Sequence, residues 1–337
     1  MEVLDLKSGK LNYAKYGYMF IIPFVIAYLC FSLYPTIYTL IIGFTDLKGP
    51  GTKEFHFNDD LWKNFRDVLN NQSFKTSISN TFKIWITNFI PQIVLALILT
   101  AWFTDNRFKV KGQGVFKVIF YMPNIITAAS VALLFSQLFS YPIGPVNDLL
   151  QSAHILDDPY EFARDKAFAQ GLVSFIQFWM WYGYSMIIFI SGVLGISPDI
   201  FEAAQIDGAN RLQTFFRITI PNIKTILVFS IITSVIGGLN MFDIPMCFLN
   251  GGPDNGTLTA SLFIYNQGFS GSYFRNRAAA ASMILFAIIA VLSIIVFFLM
   301  RDKDEALLRK QMKAQRKAYK KTGVTFNASS MERGGNK

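Results

Sequence analysis

Five side chains in one apolar stretch could hold a polyhydroxylated ligand: Gln177, Trp179, Trp181, Tyr182 and Tyr184. Planar amides and carboxylates match hydroxyl groups, and aromatic rings match the C–H faces of a sugar ring. A second apolar stretch adds Asn240 and Asp243, three residues apart and therefore on one helical face. Asp243 is the only formally charged residue inside the long apolar stretches. Such a carboxylate is costly in a bilayer unless it faces a protein interior or water. Gly237 and Gly238 beside it lower the packing volume and admit either a helix or a ligand. A packing role fits the same residues: the aromatic set as core, and Asp243 as a polar group bonded to a neighbouring helix.

Other chemistry is excluded more firmly. Cys30 and Cys247 both fall in apolar runs, and His56 and His154 lie far from them, so neither a disulfide framework nor a metal-ligand spacing is present. G-x-x-x-x-G-K-[ST], G-x-S-x-G and H-E-x-x-H are all absent. The expectation is no enzyme, no metal and no cofactor.

The elements that must position these residues are membrane helices. The 337 residues are 52% hydrophobic and 16% charged, with a mean hydropathy of +0.36. That is too apolar for one soluble core. A bilayer core needs about 20 apolar residues per helical span. Six stretches qualify: 16–42, 84–103, 118–139, 168–194, 225–250 and 278–300. Short alternating segments of the barrel kind are lacking. The reading is an all-α polytopic membrane protein with six spans: residues 1–15 form an N-terminal segment, 16–300 one transmembrane domain and 301–337 a basic tail. The first span, 27 residues without a small-residue cleavage site, reads as an anchor rather than a removed signal. No internal repeat stands out.

Orientation follows from Lys/Arg placement. With the N-terminus inside, the inner segments carry 21 Lys/Arg in 96 residues and the outer segments 10 in 96. Both termini are thus expected in the cytoplasm of a bacterial plasma (inner) membrane protein. The tail from Arg301 has 11 Lys/Arg against 4 Asp/Glu and supplies most of the net charge of +9. It suits anionic lipid headgroups, and no nucleic-acid partner is expected.

A polar island, 197–221, separates the fourth and fifth spans on the cytoplasmic side. Ser197 suits an N-cap, Pro198 the first helical position and Asp199 the first turn. Gly208 suits a left-handed stop, and Asn210 a second cap running on to Pro221. Glu202-Ala203-Ala204, three residues, Gly208, nine residues, then Ile218-Thr219-Ile220-Pro221 resembles the EAA loop of permease subunits in binding-protein-dependent ABC importers. That family has Leu where Ile220 stands, a volume-conserving change. The resemblance covers most of 16–300. The segments from Tyr34 and Phe120, and Asn250-Gly251-Gly252-Pro253 with Thr257 and Thr259, are similar to the sugar-importer branch containing the maltose-type first permease subunit. The tail has no such counterpart, and the maltose subunit's eight spans and large outer insertion are missing.

The resemblance implies that the loop is a coupling helix docking on an ATPase subunit, through Glu202, Ala203, Ala204, Asp207, Gly208, Ile218 and Pro221. It implies a second permease subunit, two copies of the ATPase and an extracytoplasmic solute-binding protein as partners, and a sugar or oligosaccharide as cargo. It also raises Trp179, Tyr182, Gly183, Tyr184, Asn240 and Asp243 as substrate contacts. The rival is a self-sufficient secondary transporter or channel for a small polar solute. That rival needs coupling charges within the spans, for which one aspartate is meagre provision.

Overall fold

The computed structural model describes residues 14–52, 54–105, 111–271 and 273–300, with Met312 and Ala314. Most of the N-terminal segment, the loop residues 106–110 and nearly all of the basic tail therefore lie outside the described residues. Among the described residues the regular structure is helical, with one isolated bridge between Thr45 and Phe57.

In chain order the helices are α1 (Tyr16–Ile42), α2 (Lys63–Asn70), α3 (Gln72–Phe103), α4 (Gln113–Ile125), α5 (Ala128–Leu138) and α6 (Pro145–Ser152). There follow α7 (Lys166–Leu194), α8 (Pro198–Ile206), α9 (Arg211–Thr214), α10 (Lys224–Leu239), α11 (Asp243–Leu249), α12 (Ala260–Phe269) and α13 (Arg275–Met300). Five stretches are long and apolar enough to cross a bilayer: α1, α3, α7, α10 with α11, and α13. A sixth is the pair α4 and α5, bent by 88°. The expected six spans are present on that count, and two differ in shape from a straight rod.

The third span breaks at Ile126 and Thr127, whose extended backbone starts a new helix as the Thr127 hydroxyl accepts from the Ser130 amide. Pro123, lacking an N–H, sits just before the break. The fifth span breaks at Asn240–Phe242, between α10 and α11. Helix α3 also starts at Gln72, well before the expected 84, because the Asn71 side chain caps it at the Phe74 amide. The stretch 72–83 is too polar to read as membrane, yet it is helical.

Helices α3 and α7 run parallel and pack along their lengths as the central pair. One apolar cluster, including Ile84, Val131, Ile176 and Ile244, fills the half near their N-termini. Another, including Ala96, Met186, Phe189 and Ile223, fills the half near the 197–221 loop. Lipid tails are as apolar as these side chains, so close packing and buried hydrogen bonds, rather than water exclusion, hold the spans together. Gly183 is the point of closest approach: an added Cβ would lie 2.7 Å from the Phe120 carbonyl carbon and 2.9 Å from the Tyr121 Cα.

At the end remote from the loop, buried amides tie the spans together. Asn80 donates to the carbonyls of Asn255 (2.6 Å) and Leu258 (3.2 Å), and Gln170 donates to Asn80 Oδ1 (2.9 Å) and the Gly256 carbonyl (2.7 Å). Asn64 donates to the carbonyls of Gly43 and Thr45 and accepts from Asn276. The side chain of Asp165 caps α7, and the amides of Phe168 and then Ala167 hold its carboxyl below the usual range. By contrast, α1 is uncovered along its length, and burial begins only at Ile42.

Candidate functional site

Two features concentrate polar side chains. The first is a cavity of ≈ 430 Å³ at the two breaks, where Ala128 starts α5 and Asn240–Asp243 separates α10 from α11. Helix α7 contributes Gln177, Trp181, Tyr184 and Ser185, whose spacing of four, seven and eight residues defines one face. Helix α3 adds Asn88 and Gln92, and α10 adds Ser230, Thr233, Ser234 and Gly237. Gln92 donates to Ser185 (2.8 Å), Trp85 to Ser234 (3.1 Å), and Asn240 to the Ile236 carbonyl (2.8 Å). Trp181 and Tyr184 meet edge to face at 5.6 Å. Asp243 opens α11, where the helix N-terminus favours a negative charge. Broken helices whose ends point at a shared midplane cavity are how membrane carriers offer backbone and carboxylate groups to a solute.

The sequence-derived set divides here. Tyr184, Asn240 and Asp243 share the cavity, together with Gln177 and Trp181. Trp179, Tyr182 and Gly183 do not line it. Trp179 meets Phe135, Tyr182 is buried between Phe120 and Phe178, and Gly183 abuts the α4 backbone. One helical turn of α7 cannot aim six successive residues at one cavity, because its 100° step divides them between two faces. Sequence reasoning passed over Asn88, Gln92, Ser185, Ser230, Thr233 and Ser234. The available signal was their recurrence at three and four residues inside otherwise apolar spans.

The second feature is the 197–221 loop, roughly 20 Å along α7 from Tyr184 at 1.5 Å per residue. Ser197 occupies the N-cap position of α8, but its hydroxyl makes no capping bond. Asp207 ends the helix. Gly208 then takes φ +75°, its amide donating to Gln205 (3.1 Å) and that of Ala209 to Ala204 (2.9 Å). These two bonds form a Schellman stop. Asn210 and Gln213 form a reciprocal capping box at α9, each bond 2.8 Å. A π turn, Phe215–Thr219, and a last turn, Ile220–Asn222, carry the chain past Ile218 and Pro221 to α10. Glu202, Ala203, Asp207, Gly208 and Pro221 are exposed and Ile218 half-buried, whereas Ala204 is buried within the chain. Arg211 pairs with Asp105 at the end of α3 (3.0 Å) beside a cleft of ≈ 390 Å³.

Among the described residues no cluster of His, Cys, Asp or Glu could hold a metal ion.

Residues 70–305 match the family described as binding-protein-dependent transport system inner membrane component. The lactose transport system permease protein LacF of Rhizobium radiobacter is 31% identical over 90% of this chain and 100% of its own length. The arabinooligosaccharides transport system permease protein AraP of Bacillus subtilis is 28% identical over 82% of this chain and 86% of that one. The multiple sugar-binding transport system permease protein MsmF of Streptococcus mutans is 27% identical over 83% and 93%. A solved bacterial ABC transporter involved in import of the acidic polysaccharide alginate shares the fold. Its TM-score is 0.69 at 23% identity, covering 84% of this chain and 94% of that chain.

Components of this family lie in the inner membrane, work with a solute-binding protein, and leave ATP hydrolysis to a partner subunit. This displaces the self-sufficient transporter or channel as a reading. With the match running through five of its six spans, the chain is an ABC importer permease, a member of the binding-protein-dependent transport system inner membrane component family.

Proposed function

We propose that the chain forms half of an alternating-access pathway for a sugar or oligosaccharide, with the cavity at the two broken spans as the place where the solute passes. The observation that carries this is the chemistry of that cavity: amides from three helices, the Trp181–Tyr184 pair and the Asp243 carboxylate converge on one volume. Printed names of relatives that include lactose and arabinooligosaccharides support the same substrate class. A second permease chain completes the pathway, two ATPase copies drive it, and lipid surrounds it.

The loop end faces the cytoplasm together with both termini, as the Lys/Arg distribution favours. There Glu202, Ala203, Asp207 and Gly208 form the exposed face offered to the ATPase, Glu202 as a carboxylate for a basic group. Ala204 serves from the other side, its small side chain letting α8 lie close on its own chain. Ile218 and Pro221 carry displacement into α10. ATP-driven closure and binding-protein docking bias the same two-state element from opposite ends.

The test is reconstitution in liposomes. Uptake of the solute is expected only with ATP, the ATPase, the second permease and the binding protein together. Uptake by the lone chain under an ion gradient would overturn the proposal. For the cavity, Asn240→Ala and Asp243→Ala are each expected to lower the maximal ATP-driven uptake about tenfold, on the order of one charged or well-placed hydrogen bond. Co-purification with the ATPase should be unchanged. Wild-type uptake in both variants would assign the two residues to packing.

A further inference from the structure

Between α5 and α7 the chain makes a 26-residue excursion at the end remote from the loop, and it is built as a rigid unit. Asn147 is fully buried at its centre. Its amide donates to the carbonyls of Ser140 and Tyr160, each at 3.1 Å, and its Oδ1 accepts from the Tyr160 amide at 2.9 Å. One side chain thus pins both ends of the excursion. Rings of Phe139, Phe162 and Phe168 stack the unit onto α7 at centroid distances of 4.8–5.4 Å. Helix α6 ends in the same Schellman pattern as α8, with Ile155 donating to Leu150 (2.9 Å) and His154 to Gln151 (3.0 Å).

What this unit displays does not serve its own packing. Ile143, Leu149 and Ile155 are 79%, 70% and 67% exposed. Leu149 lies with Asp148 on the exposed face of α6. Large apolar side chains held out on a rigid, internally satisfied scaffold are the mark of an interaction surface. Burial in lipid does not suit them, because the acids Asp148, Asp157 and Asp158 alternate with them and are exposed. The segment 140–167 holds five Asp/Glu against two Lys/Arg. A negatively charged leaflet would repel it.

We infer that this unit is a docking surface for the solute-binding protein, whose matching face carries basic side chains around an apolar depression. The inference rests on the orientation proposed above, which puts the excursion outside the cell. The family depends on such a protein, and its apolar anchors with an acidic rim suit a partner that must bind, deliver and leave. The apolar anchors set the lifetime of the complex and the rim its rate of encounter.

The test uses the complete transporter in liposomes with its binding protein titrated. Leu149→Asp and Asp148→Lys, both at exposed positions that leave Asn147 untouched, are expected to raise the half-saturating concentration of binding protein at least about tenfold. The maximal rate, the basal ATPase activity and co-purification with the second permease should stay at wild-type levels. Added salt should weaken the wild type more than Asp148→Lys. An unchanged half-saturating concentration in both variants would overturn the inference. So would loss of co-purification with the second permease, which would make this a permease–permease contact. If the importer reading itself failed, the wild type would show no uptake dependent on ATP and binding protein, an outcome separate from either.

Discussion

Gly183→Ala is expected to be the most destabilising single-methyl change in the protein. The new Cβ would lie against the Phe120 carbonyl and 2.9 Å from the Tyr121 Cα, and both obstacles are backbone. No side-chain rotation relieves that contact, so α7 and α4 must separate along a seam where Tyr182, Met186 and Phe120 interlock. Overpacking a core costs about 1–3 kcal/mol and more where backbone resists. In a bilayer the added methyl gains nothing in return from water exclusion. The measurement is thermal unfolding of the detergent-purified protein, with Gly171→Ala as the control. Gly171 lies on the same helix, and a Cβ there meets nothing within 4 Å, so that variant should match or slightly exceed the wild type. Equal midpoints for the two variants would show that α4 and α7 do not approach so closely at Gly183.

The second large effect is expected at Gly208, and on transport rather than on stability. A Cβ at Gly208 meets nothing within 4 Å, so space is not the constraint; its φ of +75° is. A β-branched residue is strongly disfavoured there. Gly208→Val should therefore open the Schellman stop and re-aim α8 relative to α9 while leaving the spans folded. ATP-driven uptake is expected to fall by two orders of magnitude, with near-normal amounts of permease in the membrane. Gly208→Asn should retain most activity, since asparagine tolerates the left-handed region. Glu202→Ala should weaken ATPase association by an amount typical of one charge-assisted bond, about 1.5–3 kcal/mol. Full transport by both Gly208→Val and Glu202→Ala would remove this loop from the coupling path.

Much of this arrangement is legible in the residues themselves. The length and composition of the apolar runs suffice for six crossings, because the bilayer imposes a single length on every span. Gly208 and Asn210 announce the turn they make, since few residues suit a left-handed stop or a reciprocal cap. The bend at Ile126–Thr127 is harder to read. Thr127 is an ordinary residue in a hydrophobic run, and only the packing of α5 against α11 reveals why the helix restarts there. The division of α7 into two faces is also invisible in composition. Trp179, Trp181, Tyr182 and Tyr184 have the same chemistry, and only the positions of α4 and α10 decide which rings face the cavity and which are packed away. The helical stretch before residue 84 went unread because polar residues there signal an end of the membrane, which is not an end of the helix.

The two broken spans also have a mechanical meaning. A continuous helix transmits a push as a rod does, shifting everything along it by the same distance. The fifth span is instead two bars with a joint at Asn240–Phe242, and the third has its joint at Ile126–Thr127, while the far bars α11 and α5 are packed on each other. Displacement entering α10 from Pro221 therefore reaches the far bars as rotation. A cavity set along straight rods would only be carried up or down by such a movement. Set at the joints, it changes shape whenever either one bends, so whatever fills it resists or assists the stroke directly.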